Sequence, residues 1–319
     1  MSLLDIGATP GSKIPRPVSY AVASLLSIAL YNVIELTFLL FTTFKRRRGL
    51  YFWSFLVATW GIAFYVIGFI VKDFSLAPHI SYFYVTFIVL GWSAMVTGQS
   101  MVLYSRLHLV VRRRAIILRS VLAMIIIDAI ILHIPVIVLC YGANSPHYRC
   151  FAIPYAVYER VQVTVFFVQE SIISILYMYE TCILMYSGGS FTEGHGEAGR
   201  RLLLHLICVN ITVILLDIAI LVLEFTSRYA SQTAAKGLIY SVKLKVEYDI
   251  LNRLVELAQR PSDSNSGLVY GGSPGYMGRN VQGGGGQADA VQRHHQRHCS
   301  CHWAIFAHRV KELNYRPGG

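Results

Sequence analysis

Six stretches of this chain are predominantly apolar over at least about 20 residues, the length a helix needs to cross roughly 30 Å of hydrocarbon. They run about Val18 to Phe44, Tyr51 to Val71, Ile80 to Val111, Ile116 to Tyr141, Val161 to Tyr186 and Leu202 to Phe225. Within a bilayer the backbone has no water to bond, so each stretch must satisfy its own N–H and C=O groups, which a helix does. Only 14% of the 319 residues are charged, against about a quarter in an ordinary soluble domain. The fold class expected is therefore all-α, a polytopic transmembrane helical bundle whose first partner is the lipid bilayer. Pro10, Gly11, Pro15 and Pro17 leave no apolar run before the first segment, so no cleavable signal peptide is expected and the first helix targets the chain. Pro135 lies inside the fourth segment and predicts a kink there.

A seventh segment, about Thr233 to Leu257, carries Lys243, Lys245, Glu247, Asp249, Arg253 and Glu256 among its apolar residues. Hydropathy alone would reject it as a crossing. Lys243 with Glu247, Lys245 with Asp249, and Asp249 with Arg253 stand four apart, so pairing along one helix face is expected. The alternative is an amphipathic interfacial helix and six crossings. Basic residues arbitrate. With the N-terminus outside, the interior loops hold Lys45 to Arg48, Arg106, Arg112 to Arg114, Arg119, Arg200 and Arg201; the exterior ones hold Lys72, Arg149, Arg160, Arg228 and Lys236. Seven crossings also put the basic tail inside, as the positive-inside tendency prefers. The expected organisation is an extracellular segment 1–17, a seven-helix transmembrane domain 18–257 and a cytoplasmic tail 258–319 that is Gly-, Ser- and His-rich and disordered.

The net charge of +11 lies mostly in short loops and the tail, which points to membrane flanks and to a cytoplasmic protein partner at those loops rather than to nucleic acid. No phosphate-binding loop, nucleophile elbow or His-Glu-x-x-His occurs, so an enzyme is not expected, nor a cofactor or a metal centre. Retinal on Lys243 would lack a mid-depth carboxylate on the third segment. Cys182 and Cys208 read as small core side chains. Cys140 and Cys150 bracket an exterior loop and leave room for a local disulfide. In the tail, Cys299 and Cys301 beside Trp303 are candidates for palmitoylation. The neighbouring histidines lack zinc-finger spacing.

Ionisable residues inside a spanning helix cost several kcal/mol unless they face protein or water. Glu35, Asp128, Glu170, Asp217 and Lys243 qualify by depth. Asn210, Asp217 and Glu224 recur every seven residues on the sixth segment, one stripe that should face the bundle interior. A pocket for a small ligand or ion is expected around Glu35, Glu170, Asn210, Asp217 and Lys243. Asn32 shares a helix face with Glu35, whereas Gln169 does not share one with Glu170. Asn210-Ile211-Thr212 would be buried and unglycosylated. Gly91, Ser93, Ala94, Thr97, Gly98 and Ser100 are small residues that let helices approach closely.

Tyr104-Ser105-Arg106-Leu107-His108-Leu109-Val110, Tyr240-Ser241-Val242-Lys243-Leu244-Lys245-Val246-Glu247 and Leu251-Asn252-Arg253-Leu254, with Tyr141-Gly142-Ala143-Asn144-Ser145-Pro146 and Val168-Gln169-Glu170, resemble a family of fungal integral membrane proteins of unknown function. The resemblance covers about Val18 to Leu257 and implies a fungal source and seven helices, without an activity. The layout is also similar to G-protein-coupled receptors, although no Asn-Pro-x-x-Tyr closes the seventh segment. The function expected is receptor-like or sensor-like, at the plasma membrane. The rivals are a proton- or ion-coupled transporter or channel, and a non-catalytic membrane scaffold.

Overall fold

The computed structural model describes residues 16–44, 49–73, 81–111, 115–145, 148–187, 189–226 and 229–259. Among them lie seven helices and no strand: α1 (Arg16–Thr43), α2 (Leu50–Asp73), α3 (Ser81–Val110), α4 (Ala115–Ala143), α5 (Tyr148–Ser187), α6 (Gly189–Phe225) and α7 (Tyr229–Gln259). The first six are long and apolar enough to cross a membrane, so this is a helical membrane bundle in contact with lipid. The N-terminal segment and the tail with Cys299 and Cys301 fall outside the described residues.

Two helices extend further than their apolar runs. α5 begins at Tyr148 and continues through Pro154 for 40 residues, about 60 Å at 1.5 Å per residue. The stretch expected to be a loop before Val161 is therefore helical from Tyr148 onward. α6 likewise starts at Gly189, well before the apolar run that begins at Leu202. α4 runs unbroken past Pro135. Hydropathy locates the part of a helix that meets lipid, and the helix itself ends only where its backbone bonds do.

The main core joins α1, α2, α3 and α7 through Leu26, Leu36, Phe55, Ile62, Met95 and Leu244, with Val163 and Phe166 of α5 and Ile220 of α6 closing it. α2 and α3 lie backbone against backbone. A Cβ on Gly98 would stand 2.8 Å from the Cα of Ala58, and one on Gly61 would stand 2.5 Å from the backbone nitrogen of Met95. Gly91 is in the same position against Tyr65, so the small residues of the third segment do serve close packing.

α7 packs against the bundle: the Tyr65 hydroxyl donates to the Thr233 carbonyl near its start, and Tyr248 meets Thr43 further along. Lys243 and Lys245 do not take the partners four residues on that their spacing suggests, and the Arg253 side chain, expected to meet Asp249, lies outside the described residues. Lys243 reaches α5 and α6, Lys245 reaches α1, and Glu247 reaches α3. Asp249 lies 3.7 Å from His205 of α6. A cross-helix partner wins because it removes both groups from lipid at once, whereas a same-face pair would leave the face charged.

Candidate functional site

Every seventh residue of the α6 stripe points inward: Asn210, Asp217 and Glu224 are all buried. α7 runs antiparallel to α6 and carries lysines at the matching interval, 236 and 243, so each acid meets a lysine. Asp217 Oδ1 accepts from Lys243 Nζ at 2.5 Å, and Glu224 Oε2 lies 2.6 Å from Lys236 Nζ. α5 supplies a second carboxylate to each lysine, Glu170 to Lys243 and Glu159 to Lys236, the latter at 2.9 Å. Gln232 adds its amide N–H to Glu224. One turn beyond Lys243, Glu247 pairs with Arg106 of α3, both fully buried, and the guanidinium lies over the Tyr177 ring at 4.8 Å.

The result is a ladder of three buried ionic steps up one face of α7, tied to α3, α5 and α6. Aromatic rings separate the steps. Tyr240 lies 4.9 Å from Lys243 Nζ, and Trp92 lies 5.1 Å from Lys236 Nζ. The Trp92 indole N–H donates to Gln162 Oε1 at 3.2 Å, and the Gln162 amide donates to His133 Nδ1 at 3.0 Å. That leaves His133 Nε2 with the proton, bonded to Thr97 at 2.9 Å. A neutral imidazole suits its burial in α4.

The opposite face of α7 meets α1. Asn32 donates to Ser241 at 2.9 Å, and Glu35 pairs with Lys245 at 2.6 Å. Asn32 and Glu35 do share a face. Glu35 is thus not part of the site expected around Lys243. Its carboxylate is 32% exposed and lies across α7 from the ladder. Asn210 is buried but donates to the carbonyl of Leu206 in its own helix. Of the five residues expected together, the structure joins Glu170, Asp217 and Lys243. Gln169 and Glu170, adjacent in sequence, both reach Ser100 of α3, Gln169 by donating to it at 2.9 Å and Glu170 at 3.5 Å.

At Glu159 the ladder borders a small cleft. It holds about 30 Å³, room for one or two waters, opens among α2, α3, α4 and α5 and is lined by Tyr65, Trp92, Tyr155, Glu159 and Gln162 among others. Asp217 and Lys243 do not line it. Asp128 sits apart on α4 beside Ile127 and Ile131, which are 53% and 58% exposed. Cys140 is buried against Tyr155, Cys150 is exposed, and both thiols are free. Cys208 faces outward rather than into the core.

Arg106, Glu247, Lys236, Glu159 and Glu224 belong to the ladder but were not among the residues expected to form a site. The signal was present for two of them: Glu224 is in the α6 stripe, and Lys236 stands seven residues before Lys243 just as Glu224 stands seven after Asp217. Arg106 lies at the end of its apolar run and reads as an interfacial cation until α7 is placed beside it.

A family model described as "Domain of unknown function (DUF7703)" matches residues 12–266, a range that contains all seven helices. The chain belongs to this family. No curated protein matches the chain, and no solved structure does. The ladder lies wholly within the matched range.

Proposed function

We propose that the protein is a seven-crossing, receptor-like or sensor-like membrane protein whose ion-pair ladder holds the bundle in one of two arrangements. One observation carries this reading: a single ammonium, that of Lys243, is clasped by carboxylates from two other helices, Glu170 of α5 and Asp217 of α6. Buried pairs of this kind are weak sources of net stability, and in some bundles they fix which arrangement is adopted. Shifting any one of the three helices breaks a bond to the same charge. A stimulus that moves α5, α6 or α7 is therefore felt by the other two.

The seventh crossing rests on α7 lying beside α1 and α2 through the depth of the bundle, and it puts the N-terminus outside and the tail in the cytoplasm. Burial of Arg106 and Lys236 removes one residue from each side of the loop-charge comparison, so the positive-inside preference keeps its sign. A plasma membrane location, a fungal source and a non-catalytic role complete the proposal. A cytoplasmic partner at the basic loops and tail would read the arrangement out.

The test is hydrogen exchange on the full-length protein in lipid nanodiscs, comparing wild type with Asp217→Ala and Lys243→Ala. Faster exchange in α5, α6 and α7 together supports a shared latch. Exchange, folding and cellular phenotype all unchanged would sink it. A second reading, proton-coupled transport, is favoured by the surplus of carboxylates over cations in the ladder. Uptake of any solute into proteoliposomes driven by an imposed pH gradient would put that reading first. Deletion after Pro261 tests the scaffold reading, which alone makes the tail the whole of the function.

A further inference from the structure

At Lys243 one cation faces two carboxylates, and all three side chains are at most 4% exposed. With both acids ionised the cluster would hold an uncompensated negative charge inside the membrane, a state proteins avoid. No neighbour corrects the count. Lys236 is occupied by its own two acids and Arg106 by Glu247. Lys245 lies across α7 with Glu35, while His133 is held by Thr97 and Gln162 and His205 lies by Asp249. From α3 the hydroxyl of Ser100 donates to Glu170, and α7 itself adds Tyr240, whose ring flanks the ammonium.

A second observation locates the deficit. Asp217 Oδ1 takes a bond from Lys243, while Asp217 Oδ2, equally buried, has no donor among the described residues. The Glu170 carboxyl is its neighbour across the shared ammonium, each acid placing one oxygen on Lys243 Nζ. Two ionised carboxylates have no hydrogen to share, whereas one carboxylic acid supplies it. A hard metal cation would need about six oxygen ligands and room for them, and the cleft does not reach Glu170, Asp217 or Lys243. A proton needs no room.

We propose that the Glu170–Asp217 pair is a proton-binding site, holding one proton between its carboxyls beside a charged Lys243, so that the clasp is electrically neutral. This deepens the sensor reading by naming the ligand of its latch and rests on that reading for its purpose. Losing the proton leaves two anions repelling across one cation, which loosens α5 from α6.

Infrared spectroscopy of the full-length protein in nanodiscs tests it, in a D128N/E159Q background so that neither the isolated acid of α4 nor the second carboxylate on Lys236 contributes. The expected result is a carbonyl stretch from a buried carboxylic acid that persists at neutral pH, shifts in D2O, and is lost in both D217N and E170Q. Replacing sodium by choline leaves it unchanged. Each of these variants removes the surplus charge and should fold. If either does not, labelling the aspartate or glutamate carboxyls with carbon-13 in otherwise unaltered protein assigns the band instead. Absence of the band, its survival in both variants or an unshifted frequency on labelling both acids overturns the proposal. A band that appears only when sodium is removed overturns it in favour of a metal cation. Loss of the proton claim with the exchange response of Asp217→Ala intact would leave the latch standing without its ligand.

Discussion

α4 and α7 invert the arrangement of a soluble protein. α4 turns many of its apolar side chains outward, with Ile127, Ile130, Ile131 and Ile134 all more than half exposed. α7 is the helix that apolarity does not recognise as a crossing, yet Lys243, Ser241 and Glu247 within it are 0% exposed. Lipid is the solvent here, so the apolar helix is the one that dissolves and the polar helix is the one that must be covered. The lesson is that hydropathy measures exposure to lipid rather than membership of the bundle.

If burial on α7 is what makes its charges matter, Glu247→Leu gives the largest effect. It strands the Arg106 guanidinium, which cannot shed its proton, and a broken buried pair costs about 3–5 kcal/mol. Thermal unfolding in detergent should show that loss even though the substitution raises apolarity. A stable Glu247→Leu protein would break the comparison. Next comes Gly98→Val, where the added side chain meets Ala58; overpacking of this kind costs about 1–3 kcal/mol or more, read as a lower unfolding temperature.

Within α7 the comparison sharpens between its two faces. Lys245→Met removes a pair whose partners are each about a third exposed, so a loss of about 1 kcal/mol or less is expected, well below that of Glu247→Leu. On α4 the sign turns. Asp128 has lipid-facing isoleucines beside it, so Asp128→Leu should leave unfolding unchanged within about 0.5 kcal/mol or raise stability. A marked loss there would show that α4 has a polar partner.

The inward stripe Asn210–Asp217–Glu224 was readable because its period places three polar groups in line on a helix that is otherwise apolar. The α7 lysines misled for the complementary reason. Spacing of four is compatible with pairing along one helix, and nothing in the local sequence says that another helix will offer a closer partner. Glu35 illustrates the same limit: its depth matched that of the site residues, but its position around α1 aimed it at Lys245.

Six apolar helices followed from the chain alone, because crossing lipid demands apolar length and a closed backbone whatever the neighbours are. Which charges meet was decided only by the tertiary structure. Glu247 finds Arg106 across 141 residues, and Lys243 finds Glu170 across 73. Those partners are chosen by how helices rotate and stack, where the cost of an unpaired charge is set by the surroundings it ends up in.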